Sequence, residues 1–299
     1  MVKVKSIPPL SDVYRKAWES CQALWPLFIL RFVFVILNFG AILLCLFLVC
    51  WPFIKPLIDG FEQSGANFIP NSTLLFENYA QDLGWLAMAV GLILLFITWW
   101  GLLAALFDGA VYSQMREHQE NGRLFSLGDF FKDGARYLMP MIGLQVLWSL
   151  LFFGVMMIGF LGGILAALLL KILSMLWLGI LLGIPLFFLA VVVMIGLAGW
   201  GILAGAYLMD RKGVMHAMRQ GYQKCLEGHG RAIWGILLLW VIYFVFSIAF
   251  QVVMSIFGLI PLIGLLFIIA QWAGSLFLSV AIWVYMPALA VAFSLEKEN

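Results

Sequence analysis

The sequence predicts an all-α integral membrane protein: a bundle of six transmembrane helices, arranged as three parallel hairpin repeats, each preceded by a cytoplasmic interfacial amphipathic helix. Three observations predict it. Hydrophobic residues make up 65% of the chain and charged residues 11%, against about 45–50% and about 25% in soluble domains. The apolar residues fall in six long runs, each longer than the roughly 20 residues that a bilayer-crossing helix needs. Lysine and arginine collect in alternate connecting segments. The runs take up nearly all of the 299 residues, so residues 1–299 read as a single membrane domain with no room for a sizeable extramembrane one.

The first element is short. In the segment beginning Ser11-Asp12, apolar or aromatic Val13, Tyr14, Ala17, Trp18, Cys21 and Leu24 recur at helical spacing, with Asp12, Arg15, Lys16 and Glu19 between them. This predicts an amphipathic helix lying at the interface, capped by Ser11 or Asp12. The apolar run after it is too long for a signal peptide and lacks a small-residue cleavage site, so it is expected to be a retained first span. Span one runs from about Leu24 to Val49, and Trp51 with the prolines around it fits an interfacial exit. Residues 59–84 form the longest non-cytoplasmic loop. Its Asn71-Ser72-Thr73 matches an acceptor sequon, for which chance is the simpler reading.

Span two, Trp85 to Met115, is almost unbroken apolar sequence containing one acid, Asp108, and it ends in a charged segment from Arg116 to Arg123. Span three covers Leu138 to about Leu170, span four about Ile172 to Leu208, span five Ala232 to Gly258 and span six Leu262 to Phe293. Several are longer than an untilted helix requires. Tilt, extension into the interface, or a break at Gly162-Gly163, at Gly183-Ile184-Pro185 or at Pro261 takes up the excess.

Orientation follows from the cations. Lys3, Lys5, Arg15 and Lys16 precede span one; Arg116, Arg123, Lys132 and Arg136 lie between spans two and three; Arg211, Lys212, Arg219, Lys224 and Arg231 lie between spans four and five. The opposite side holds only Lys55 and Lys171, the latter marking an outer border. By the positive-inside rule both termini and both basic loops are cytoplasmic, in the cytoplasmic (inner) membrane of a bacterium.

The spans also repeat in pairs. Pro26 through Arg31 aligns with Pro140 through Gln145 at an offset of 114, placing Arg31 on Gln145, while Trp100-Gly101 aligns with Trp200-Gly201 ahead of Asp108 and Asp210. A third copy starts at Tyr222 and includes Trp234-Gly235. The repeat units are roughly 11–115, 125–210 and 213–295. All three enter the membrane from the same side, unlike the inverted repeats of many secondary transporters; chance matching between apolar segments is the rival explanation.

Two segments carry a resemblance. One is YSQMREHQENGRLFSLGDFFKDGARYLMPMIG, a basic loop leading through Ser126-Leu127-Gly128-Asp129-Phe130-Phe131 into a span; the other is AYLMDRKGVMHAMRQGYQKCLEGHGRAIWG, with Asp210 ahead of an Ala-Met-Arg amphipathic helix. Through them the chain resembles a loose group of bacterial six-span membrane proteins, including the membrane domain attached to some glycerophosphoryl diester phosphodiesterases. The resemblance implies a membrane module; the phosphodiesterase catalytic domain has no counterpart in this sequence, so no reaction is carried over.

Few residues bear chemistry. Arg31 lies about seven residues into span one and Asp108 about seven from the end of span two, each roughly 10 Å from the cytoplasmic border at 1.5 Å per residue. Charges at that depth pair or line a wet cavity. The candidate intramembrane polar cluster is therefore Arg31 and Asp108, paired across the first hairpin, with Gln145 as neighbouring hydrogen-bonding group. The alternative is that Arg31 snorkels to phosphate and Asp108 caps or faces the loop. Asn38, Gln251 and Gln271 suit interhelical hydrogen bonds better than a polar path. His118, His216 and His229 fall in cytoplasmic segments without ligand spacing, and Cys21, Cys45, Cys50 and Cys225 form neither a disulfide framework nor a zinc pattern. No catalytic, metal or cofactor site is expected.

Three classes of function remain open. The basic, aromatic-rich helices near Tyr14 to Leu24, Phe125 to Tyr137 and Val214 to Leu226 favour a non-enzymatic scaffold or subunit, its partners being membrane lipids and protein subunits or further copies of the chain. Intramembrane polar residues favour a transporter or channel for a small or lipid-like solute, although no dense polar pathway is present. A membrane-embedded enzyme lacks any constellation, so none is expected. The basic clusters are explained by topology, and no nucleic-acid partner is expected.

Overall fold

In the computed structural model, which describes residues 9–64, 83–173, 176–258 and 264–296, every regular element is helical. Among the described residues the helices are α1 (Leu10–Ala23), α2 (Pro26–Ser64), α3 (Leu83–Asn121), α4 (Leu127–Leu173), α5 (Leu176–Leu208), α6 (Val214–Leu226), α7 (Arg231–Gly258) and α8 (Gly264–Ser294), with a 3-10 turn at Glu227–Gly230 before α7. Among the described residues, five helices hold stretches long and apolar enough to cross a membrane: Pro26–Trp51, Ala87–Asn121, Leu127–Ile164, Arg231–Ile256 and Ile269–Ser294. The Val192–Leu208 part of α5 is a shorter apolar stretch. These helices make the chain an integral membrane protein of several spans. The sequon and Pro261 lie outside the described residues, as do the side chains of Lys171 and His229.

Two local expectations change. The cap of α1 is Pro9, with extended backbone, and the N–H of Asp12 donates to its carbonyl at 3.0 Å. Asp12 instead sits in the first turn, where its carboxylate favours the helix dipole and meets Arg15 at 3.4 Å. Residues 125–137, expected to form a separate interfacial helix, are largely absorbed into α4, which runs on through Pro140. The buried positions Phe130, Gly134, Tyr137, Met141 and Leu144 keep one helical face on both sides of the proline. Packing along that stripe outweighs the one hydrogen bond that Pro140 cannot make. The helix likewise continues through Gly162-Gly163, and α5 through Pro185.

The chain divides into two compact units. One contains residues 1–29 and 105–299, the other 30–104. In the second, Phe34 of α2 meets Trp100 of α3 at 6.4 Å between ring centroids, and Trp100 in turn meets Phe96.

In the first unit the core sits at one end, where the C-terminal parts of α3, α5 and α8 meet the beginnings of α4 and α7. We call this the charged end. Buried Ala105, Ala110, Val111 and Met115 of α3 lie in it with Leu203, Ala204 and Ala206 of α5 and Ala288, Leu289 and Val291 of α8. Short helices or helix beginnings cover these three ends. The start of α4 packs on α3, with Phe130 edge-on to Phe107 at 5.3 Å. Helix α6 packs on α5, where Trp200 Nε1 donates to the Met218 carbonyl at 2.7 Å. Helix α1 packs on α8, where the Tyr285 hydroxyl donates to the Tyr14 carbonyl at 3.0 Å. Small residues permit the approach. A Cβ at Gly134 would stand 2.9 Å from the Leu106 carbonyl oxygen, and one at Gly221 would stand 2.8 Å from the Ala204 nitrogen.

Candidate functional site

Asp108 and Gln145 are brought together. Asp108 lies on the stretch of α3 lined by Ala105, Phe107 and Gly109, and Gln145 follows buried Leu144 on α4. Gln145 Nε2 donates to Asp108 Oδ2 at 3.3 Å, both groups being half-buried. Arg31 belongs to the other compact unit, so its expected pairing with Asp108 is a relation between units. Within its own unit it is 7% exposed, with the guanidinium carbon 4.8 Å from the centre of the Phe34 ring. That distance is within the range of a cation–π contact. Asn38, one turn further along, is buried and donates to the Phe34 carbonyl of its own helix at 2.8 Å. Gln251 is exposed and Gln271 half-buried.

Below Asp108 the charged end is tied by polar contacts that sequence reasoning did not assemble. Tyr112 on α3 reaches across to the Ile202 carbonyl of α5 at 2.9 Å, and Ser113 meets Asp133 of α4 at 3.1 Å. Arg116 bridges Asp210 at 2.5 Å and Glu120 at 2.8 Å, joining the ends of α3 and α5. Gln119 donates to the Ala288 carbonyl of α8 at 3.0 Å. Arg231 pairs with Glu296 at 2.9 Å, and Lys224 with Glu227 at 3.1 Å. Arg123 contacts both Glu117 and Asp129, and its carbonyl lies 2.9 Å from His118 Nδ1. Asp210 carried a signal that could have been read. An acid directly after an apolar span needs a cation, and Arg116 follows span two.

Taken together, all ten acidic residues whose side chains are described engage a partner within the chain. They are Asp12 and Glu19 with Arg15, Asp108 with Gln145, Asp133 with Ser113, and the six just named with Arg116, Arg123, Lys224 or Arg231. Four of these contacts, Asp133–Ser113, Asp108–Gln145, Glu296–Arg231 and Asp210–Arg116, join segments 20 or more residues apart in sequence and act as ties that fix the charged end. Among the described residues, no group of three or more His, Cys, Asp or Glu is placed to hold a metal ion. Of the cysteines, Cys21 in α1 and Cys225 in α6 are buried, and burial pushes both thiols up to about 12.

The cations differ. Lys16, Lys132, Arg136, Lys212 and Arg219 are exposed and face no acid among the described residues. All but Lys212, which lies in the turn before α6, stand on helices that also expose large apolar side chains. On α1, Trp18 is exposed near Lys16; on α4, Phe131 and Met139 flank Lys132 and Arg136; on α6, Met215, Tyr222 and Leu226 surround Arg219.

Compared with the known protein families, with curated proteins and with solved structures, the chain matches none.

Proposed function

We propose that this protein is a non-enzymatic module of a bacterial cytoplasmic membrane, a scaffold or complex subunit that engages lipid or protein partners through its interfacial helices. In this reading it has six spans, α5 supplying the sixth, in three hairpin units with both termini cytoplasmic. The observation that carries the proposal is the contrast at the charged end. The ends of α3, α5 and α8 are packed on one another and tied by the Arg116–Asp210 and Gln119–Ala288 contacts, which favours a fixed platform over a pathway. The outer faces of α1, the start of α4 and α6 stay exposed and amphipathic. Each covers the end of a span from the preceding unit, α1 closing onto α8, as three equivalent units would. The resemblance to the membrane domain of glycerophosphoryl diester phosphodiesterases points the same way, since that domain too is a module beside a separate activity.

Transport of a small or lipid-like solute is the second reading, favoured by the Asp108–Gln145 hydrogen bond. Native mass spectrometry of the protein extracted in mild detergent separates the two. A stoichiometric protein partner or a defined oligomer supports the module. Solute flux in proteoliposomes that is lost in Asp108→Asn, with the fold intact, overturns it.

A further inference from the structure

We infer that the charged end binds anionic phospholipid, with headgroup phosphates seated against Lys132 and Arg136 of α4 and Arg219 of α6, and Phe131, Met139 and Tyr222 inserted beside them. The inference rests on the membrane-module reading and names the partner of its interfacial helices. Position is the first argument. Lys132 and Arg136 stand within two turns of the apolar run that begins at Leu138, on the same continuous helix, so they cross the headgroup layer if α4 enters the bilayer there. Helix α6 lies between α5 and α7, separated from α5 by the tight turn of Arg211 and Gly213, both at positive φ, and from α7 by the turn Glu227–Gly230. Connections that short hold it at the same level.

Charge is the second argument. Eight of the ten described acids are ion-paired with Arg15, Arg116, Arg123, Lys224 or Arg231, and Asp133, buried, bonds to Ser113, so Lys132, Arg136 and Arg219 are left on these faces without an ion pair among the described residues. A surface of unpaired cations beside exposed aromatic and apolar side chains matches a lipid headgroup with its acyl chain below. It matches a zwitterionic headgroup less well, because the choline or ethanolamine cation opposes the same field. A soluble acidic protein would satisfy the charges but leave Phe131, Met139 and Tyr222, each at least half exposed, in water.

The test uses the full chain in detergent, titrated with phosphatidylglycerol or phosphatidylcholine and read by native mass spectrometry. The expected result is preferential retention of phosphatidylglycerol, weakening as salt is raised. The triple variant K132Q/R136Q/R219Q should lose that preference by about tenfold or more, while Lys55→Gln, in α2, keeps it. Each substituted side chain is exposed and free of acidic partners, so the thermal midpoint should hold. If the triple variant does not fold, R219Q alone should still cost about fivefold. Equal retention of both lipids, or an unchanged preference in a folded variant, overturns the inference. A protein partner recovered alongside equal lipid retention would overturn it while leaving the module reading intact.

Discussion

Within α4 and α7 the two ends of one helix live in different surroundings. Near the charged end, α4 buries Phe130, Gly134, Tyr137, Met141 and Leu144, and α7 buries Ala232, Gly235 and Ile236. Further along, no residue of α4 between 149 and 164, and none of α7 between 238 and 256, is buried. Phe153, Ile158, Phe160, Phe244 and Val245 are all more than 60% exposed. The start of α4 carries Asp129, Lys132, Asp133 and Arg136 and the stretch from 149 to 164 no charge at all, yet it is the more polar end that holds the buried residues, so hydropathy does not tell which end packs. What differs is packing. In lipid an exposed apolar side chain loses nothing to water, and helices associate through close contacts and interhelical polar bonds. The charged end has both, through its small residues and its cross-helix ties; the distal halves need neither.

Several substitutions would sharpen or break this comparison. The largest effect is expected from Phe130→Ala, which empties a fully buried site against Phe107; by analogy with soluble cores it costs about 3–5 kcal/mol, read as a lowered unfolding midpoint in micelles. Gly221→Val should follow. Its Cβ meets backbone of α5 that cannot swing aside, and overpacking of that kind costs about 1–3 kcal/mol. Removing Arg116 from its pair with Asp210, as in Arg116→Gln, should cost about 1–2 kcal/mol, between the values for exposed and buried pairs, since the partners are 22% and 25% exposed. Ile158→Ala, at a site 73% exposed, should stay within about 0.5 kcal/mol. A distal substitution as costly as Phe130→Ala would mean that the outer halves pack in the membrane against a partner.

A pH scan probes the same layer. Burial raises the Cys21 and Cys225 thiols to about 12, above the usual 8.5 or so, so folding favours their protonated form. Their contribution to stability is complete below the unfolded value and is lost as pH climbs from about 8.5 through about 12. Replacing both by serine or alanine should therefore remove part of the alkaline loss. At neutral pH both should resist a maleimide until the charged end opens.

Composition and the long apolar runs made the all-helical membrane class legible, and the sequence pattern located α1 and placed α6 near Val214–Leu226. The continuity of α4 was not legible, because Asp129, Lys132, Asp133 and Arg136 mark the residues ahead of Leu138 as interfacial and apart from the span, and only the buried stripe from Phe130 to Leu144 shows why one helix runs through both. Asp108 and Gln145 could be singled out because each stands alone in an apolar run. That Asp210 needs a cation could be read, but not that Arg116 supplies it, nor that Gln119 reaches the Ala288 carbonyl. Partners so far apart in sequence are set by how the helix ends meet, and periodicity along one helix carries no record of that.

The most direct test of a docked, tied charged end is hydrogen–deuterium exchange of the protein in lipid discs, followed in α1. This short helix is joined to α2 by a two-residue turn and is held by Tyr285, which donates to the Tyr14 carbonyl and meets the Trp18 ring, and by the Gly235 carbonyl, which accepts from the Tyr14 hydroxyl. If α1 closes onto α8 as described, its amides exchange as slowly as those of α6, and both slow regions speed up together in Phe130→Ala. Exchange of α1 within seconds, while α6 and the ends of α3, α5 and α8 stay protected, would contradict the account.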